Sequence, residues 1–312
     1  MEEAILFGPF IGELGWCLLR FAPYAIWKKK VQYKNRVKLV VMTRPERFDL
    51  YGNWADILVP LRIEGDYSVY KGECFRAMGL DIKIYRQLAE NFRNHFSTRF
   101  KILEHIYPKI DKTHFLNKNQ YSREDRAYDF KPRKENKKLV DTFVPNSKSL
   151  IILGPRFRKG FKRNWPHWEK FYDLISKDIF LQDNFHFIIC GKEPEYVPDK
   201  QNRFFDINNI PLSENSSLIG LTIEVIRKSI LTVGSQSAIP NISMILGTEV
   251  LEWGDEPHEH TKVYNVMNTK VNFIVDRRYE ISPEKVLGEM KQILSRKLKE
   301  RKDYGSECMV SS

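Results

Sequence analysis

Cysteine is scarce in this 312-residue chain, and the four present, Cys17, Cys74, Cys190 and Cys308, are scattered without metal-type spacing. That pattern argues against a disulfide framework or a structural zinc site, and reduced thiols in a cytoplasmic protein are expected. No uninterrupted apolar run approaches the roughly 18 residues a membrane helix needs. The first residues, two glutamates followed by ILFGPFIGELGW, lack the basic start of a secretory signal and are broken by glycine and proline. Neither GxxxxGK[ST] nor a GxGxxG after a strand is present, which weighs against P-loop ATP hydrolysis and nicotinamide chemistry. Helix-turn-helix, RRM and zinc-finger signatures are missing too, and aromatics do not interleave with basic residues on one strand.

Positive charge is abundant. A net charge of +11 and a pI near 9.3 predict attraction to polyanions: nucleic acid, an anionic membrane surface or a phosphorylated small molecule. With 42% hydrophobic and 13% aromatic residues the composition is globular, and the length suits two ordinary domains.

Periodicity shows one supersecondary pattern twice. AILFG reads as a buried strand, WCLLRFAPYAIWKKK as an amphipathic helix and VKLVVMT as a second strand, a unit that implies a parallel sheet with a right-handed crossover. In the second half SLIILG, FHFIICG, RFFDI, SILTVG and TEVLEWG read as strands, with helices in PHWEKFYDLISKD, SLIGLTIEVIRKS and QSAIPNISMILG. IKIYRQLAENFRNHFSTRFKILEHI is expected to be helical, and the polar stretch 118–138 to be a linker or solvated excursion. The expected domains are 1–147 and 148–312. A last helix starts at the N-cap Ser282 and Pro283 and runs to about Lys302, with a frayed tail after it.

The stretch GPRFRKGFKRNWP follows the strand SLIILG, where parallel sheets bind ligands. Arg156, Arg158, Lys159, Lys162 and Arg163 would there project towards a crevice and grip a diphosphate bidentately; the competing reading is a solvated charged loop. Gly234, Ser235, Gln236 and Ser237 stand at another strand end that opens a helix, where backbone N–H groups and hydroxyls suit an anion. Two such devices in one domain point to a phosphate-bearing ligand.

The order of strand, GPR, basic residues, WP, helix, a GK-ended strand and then GSQSAIPNISMILGTEV resembles the donor half of GT-B glycosyltransferases, particularly the heptosyltransferase-like group. GPFIGELGW resembles the glycine-containing acceptor-side loop of such enzymes, with Gly12 and Gly15. The resemblance implies an α/β fold of two Rossmann-like domains facing a central cleft, with a C-terminal helix packing back across. It also implies a nucleotide-sugar co-substrate, no further cofactor, and inverting transfer of a hexose, pentose or heptose. Ser235 to Ser237 and Leu246 to Val250 match the stretches that hold the nucleotide diphosphate in that group. Two departures stand out: heptosyltransferases usually carry an Asp directly after the loop glycine, where this chain has Trp16, and an Asp/Thr/Gly turn where this chain has Ser, Gln and Ser.

Inverting transfer requires a base for the acceptor proton and positive charge for the leaving diphosphate. Glu13 is the candidate base, or else a helix-start carboxylate on the macrodipole. Arg156, Arg158, Lys159 and Arg163, with Ser235, Gln236 and Ser237, would stabilise the leaving group. No DxD occurs in the chain, so metal independence is expected, with fixed cations in place of an ion. Glu252 would accept from ribose hydroxyls, or is a solvated strand-end acid. The histidines of EPHEH read as surface loop, and Trp165 and Trp168 as core or hinge aromatics. Lys28 to Lys30, Arg44, Arg47 and the basic linker suit a polyanionic acceptor, either a phosphorylated surface glycan or, as in viral enzymes, a hydroxylated DNA base. A non-catalytic nucleic-acid-binding or sugar-nucleotide-binding protein is the reading from a different class.

Overall fold

A computed structural model describes residues 1–10, 12, 14–52, 54–62, 82–107, 129–156, 164–191, 204–263 and 265–307. The chain divides into two compact units, Met1–Val140 with Leu212–Glu224, and Asp141–Pro211 with Val225–Ser312. Leu212–Glu224 packs with the first unit, although the sequence reading placed it in the second domain.

The first unit holds four parallel strands, β1 (Glu3–Phe7), β2 (Lys38–Thr43), β3 (Ile57–Pro60) and β4 (Lys101–Ile106), in the order β3-β2-β1-β4. Leu14 to Gln32 is helical, with α1 (Leu14–Trp16) and α2 (Ala22–Trp27) each followed by a π-helical turn. Ile82–Ser97 forms α3, whose Tyr85, Phe92 and Phe96 recur at helical spacing and pack in one cluster with Ala4, Leu6, Val40 and Met42 of the sheet. The helix expected to continue through KILEHI stops instead: Arg99 and Phe100 donate back to the Phe96 carbonyl, and Lys101 N donates to Glu2 O. The latter bond enters the β1–β4 ladder, so long-range pairing overrides the helical reading of 101–106.

Leu212–Glu224 joins this unit through buried polar groups. Asp49, 1% exposed, accepts from Arg133 N, Nε and Nη2, from Asn136 Nδ2 and from the Ser217 hydroxyl. Ser217 in turn accepts from Gly220 N at 2.9 Å, which fills the first turn of the helix Leu218–Lys228.

The second unit carries β5 (Ser149–Gly154), β6 (Phe185–Ile189), β7 (Phe204–Asp206), β8 (Ser229–Ser235), β9 (Val250–Gly254) and β10 (Val271–Val275), in the order β10-β9-β8-β5-β6-β7 and all parallel. Strand order therefore reverses between β5 and β8, as in a dinucleotide-type Rossmann sheet. One face of this sheet packs on Trp165, Trp168, Phe171 and Tyr172, and the helix Pro283–Glu307 adds Val286, Met290, Ile293 and Leu294 to the same cluster. Both tryptophans are core, as expected. The terminal helix starts where the SPEK signal places it and runs past Lys302; Lys297 and Arg296 pair with Glu249, and Lys291 with Asp178. Burial alone would raise the Glu249 carboxyl, but hydrogen bonds from Lys297, Asn272 and Arg296 outweigh it and hold the group below its usual range. No helix of the described residues is long and apolar enough to cross a membrane.

Candidate functional site

At the switch point the ends of β5 and β8 come together as a glycine pair. Gly154 and Gly234 are register partners, and a Cβ on Gly234 would stand 2.9 Å from the Gly154 carbonyl oxygen. A Cβ on Gly154 would stand 3.1 Å from Ile239 of the following helix. The absence of both side chains lets strand, turn and helix close on one another. Arg156, two residues beyond β5, donates from Nη1 to the Gln236 carbonyl at 2.8 Å. Two residues chosen from separate sequence motifs thus meet at one spot.

The helix after β8 is Ala238–Leu246, ended by the left-handed Gly247. Pro240 falls in its first turn, where a missing N–H costs no intrahelical bond. Ser237 occupies the N-cap position without making the usual cap bond, so the N–H groups of Ser237, Ala238 and Ile239 have no acceptor within the helix. Ser235 Oγ, Ser237 Oγ and Gln236 Nε2 are buried and lack hydrogen-bond partners among the described residues. Such a set of donors and hydroxyls at the positive end of a helix is receptive to an anion.

Gln236 is held more firmly than the sequence suggests. Its N–H donates to the Trp253 carbonyl at 3.1 Å, and its Oε1 accepts from Tyr279 Oη at 2.6 Å and from Asp255 N at 3.2 Å. Gly254 makes room for it, since a Cβ there would stand 2.3 Å from Gln236 Oε1.

Glu252 is fully buried, at 0% exposure, which removes the solvated strand-end reading. Its strand neighbours Leu251 and Trp253 face the aromatic cluster, so its own side chain points to the opposite face, flanked in register by Gly234 and Phe273. His260 Nδ1 lies 3.0 Å from Glu252 Oε1, while neither carboxylate oxygen has a hydrogen-bond partner among the described residues. The surface-loop reading of EPHEH is therefore corrected: His258 is exposed, but His260 is buried in the π-helical turn Glu259–Val263 and meets the acid. A pattern of two histidines separated by one residue gives no sign of which one turns inward.

Glu13, Arg158, Lys159, Lys162 and Arg163 lie outside the described residues. In the first unit three carbonyls of the stretch after β1 are clamped: Gly8 O accepts from His105 Nε2 at 2.7 Å, Pro9 O from Tyr85 Oη at 2.9 Å, and Gly12 O from the buried Arg47. Gly15 sits in α1 with nothing near where a Cβ would be. Cations assigned to the acceptor have internal work as well. Lys28 pairs with Glu104 at 2.7 Å, and Lys29 with Asp56 at 2.7 Å. Burial would raise the Glu104 carboxyl, yet bonds from Lys28 and Tyr33 hold it low. Arg44 is 7% exposed and lies 3.8 Å from Glu46, and Lys30 is exposed.

No family model matches the chain, and no curated protein matches it by sequence. Solved structures do. ADP-heptose lipopolysaccharide heptosyltransferase II of E. coli superposes with a TM-score of 0.58 at 12% identity, over 95% of this chain and 99% of that one. A glycosyltransferase family 9 protein of Veillonella parvula gives 0.57 at 10% identity, over 95% and 97%. The E. coli heptosyltransferase WaaC with ADP gives 0.53 at 10% identity, over 94% and 100%. With its two parallel Rossmann-type sheets, the chain has the fold of the GT-B glycosyltransferases, and it is similar in structure to the family 9 heptosyltransferases.

Proposed function

We propose that this chain is a metal-independent, inverting glycosyltransferase whose second unit holds the diphosphate of a nucleotide sugar at the β5–β8 switch point. The observation that carries the proposal is the meeting of Arg156 with the Ser235–Ser237 turn at the start of a helix, where buried donors have no acceptor among the described residues. The similar WaaC structure contains ADP, which supports a nucleoside diphosphate as the ligand class.

In the proposed reaction the acceptor hydroxyl attacks the anomeric carbon, its proton passes to the Glu13 carboxylate, and the bond from that carbon to the diphosphate oxygen breaks. Negative charge then accumulates on the leaving diphosphate, where Arg156, Arg158, Lys159 and Arg163 oppose it together with the helix N-terminus. Among the described residues neither Glu252 oxygen has a hydrogen bond, as a ribose acceptor requires, but the carboxylate is fully buried with His260 Nδ1 at 3.0 Å, so a ribose hydroxyl reaches it only where that contact opens. A phosphorylated glycan or a hydroxylated DNA base is the proposed acceptor class. Since Lys28, Lys29 and Arg47 are engaged within the first unit, exposed cations such as Lys30 must supply most of that attraction.

Calorimetric titration with UDP, GDP, ADP, CMP and inorganic diphosphate, without added metal, tests the reading. Selective binding of one nucleoside diphosphate is expected. Binding of none, with salt-sensitive binding of DNA instead, overturns it in favour of a phosphate-backbone contact.

A further inference from the structure

Tyr279 was part of no motif, and its backbone is unusual: φ is +60°, in the left-handed region that a bulky residue rarely adopts. Strain of this kind persists only where the surroundings impose it. Here they do. Asp276 N donates to Gly254 O at 2.8 Å, the Asp276 carboxylate accepts from Arg278 N and from Ile281 N, and the Ile281 carbonyl accepts from Trp165 Nε1 at 2.8 Å. This bend after β10 aims the Tyr279 hydroxyl at Gln236 Oε1, 2.6 Å away, and at Asp255 Oδ1, 3.0 Å away.

The consequence lies in the amide. A carbonyl oxygen has two acceptor sites, and Gln236 Oε1 has both occupied, by Tyr279 Oη and by Asp255 N. A flipped amide would put an NH2 against the Asp255 N–H, donor against donor, so the orientation is set. Gln236 is 2% exposed, and its Nε2 offers two N–H donors with no partner among the described residues.

We infer that Tyr279 is a positioning residue for anion recognition: by holding Gln236 Oε1 it presents the Gln236 amide N–H groups to the diphosphate of the bound nucleotide. The inference rests on the proposed reading of the switch-point site. Tyr279 is 2% exposed with its hydroxyl turned to Gln236 and Asp255, so it acts through Gln236 and not on the ligand directly.

The test is a double-mutant cycle read as the affinity for the nucleoside diphosphate the wild type prefers among UDP, GDP and ADP. Tyr279→Phe keeps the ring in its core and removes only the hydroxyl. It is expected to weaken binding about tenfold, the scale of one positioning hydrogen bond to a donor serving a charged group. In a Gln236→Met background the same change is expected to have no further effect, a coupling that mere loss of core stability would not produce. Gly254→Ala supplies an independent variant should Tyr279→Phe fold poorly, because its Cβ would displace the Gln236 side chain from the other side. Equal affinity in the wild type, Tyr279→Phe and Gly254→Ala overturns the inference and leaves the site reading standing; so does a Tyr279→Phe loss that persists undiminished in Gln236→Met. A wild type that binds no nucleoside diphosphate overturns both.

Discussion

Glu249→Gln should loosen the terminal helix from the second unit, and its size can be worked from the contacts. The carboxylate is 7% exposed and faces Lys297 at 2.8 Å, Arg296 and, at 3.9 Å, Lys270. Lys270 is 55% exposed and contributes next to nothing, because solvent screens a distant surface pair. Stripping the charge from a buried ion pair costs about 3–5 kcal/mol when the partner stays buried. Arg296 and Lys297, at 35% and 21% exposure, can turn towards water, so the loss should be nearer 2 kcal/mol. For a unit of the second one's size that corresponds to a drop of about 4–8 °C in its melting temperature. Tryptophan fluorescence during thermal unfolding reads the effect, since Trp165, Trp168 and Trp253 lie in the cluster that this helix helps to cover. The pH dependence gives a second check. The Glu249 carboxyl is held below its ordinary value in the folded state, so its contribution is complete above the unfolded-state value and is lost as pH falls through the lowered one. The gap between wild type and Glu249→Gln should therefore be full at neutral pH and close in acid. Coincident melting curves at neutral pH, or a gap that widens in acid, would refute the reasoning.

Arg156→Ala removes both a bond to the Gln236 carbonyl and a charge from the switch point, and should weaken nucleoside diphosphate binding by about ten- to a hundredfold, the scale of a charge-assisted bond. Unaltered affinity in calorimetry would assign the guanidinium to contacts within the protein, such as the Gln236 carbonyl. Glu13→Gln should abolish glycosyl transfer while leaving donor affinity nearly intact, and undiminished turnover would reject Glu13 as the base. Gly220→Ala should destabilise the first unit by about 1–3 kcal/mol in urea unfolding, because its Cβ would stand 2.3 Å from Asn136 Nδ2 and 2.6 Å from Asp49 Oδ2. An unchanged midpoint would show that the Asp49 network gives way freely.

The parallel strands were legible because sheets covered on both faces demand continuous apolar runs, and LVVM, LIILG and ILTVG have no other economical use. β4 was not, since KILEHI follows a helix with neither glycine nor proline between them and only pairing with β1 distinguishes the two. β10, VNFIV, escaped for the same reason at a sheet edge, where its residues are only half-buried.

The site divides along a similar line. The meeting of Arg156 with Gln236 could be anticipated because each stands beside the strand end that places it, and a strand end carrying glycine is visible in the chain itself. Tyr279 could not, being 43 residues from the Gln236 it holds, and nothing in RRYEIS marks a tyrosine forced to positive φ. The solvated reading of Glu252 and the surface reading of His260 fail because both lie in a segment dense with charge, where polar composition suggests solvent; the sheet's alternation instead turns the acid inward and the helical turn brings one histidine onto it. Formal charge fails by the same logic. A net +11 counts Lys28, Lys29 and Arg47 as available to a partner, but a cation already committed to Glu104, Asp56 or a loop carbonyl attracts a distant polyanion weakly and serves chiefly to fix its own surroundings. Arg47 shows what that service is: buried at 2% exposure, its guanidinium donates to Gly12 O and so ties the loop backbone to the Pro45–Leu50 turn, work that an exposed charge does not do.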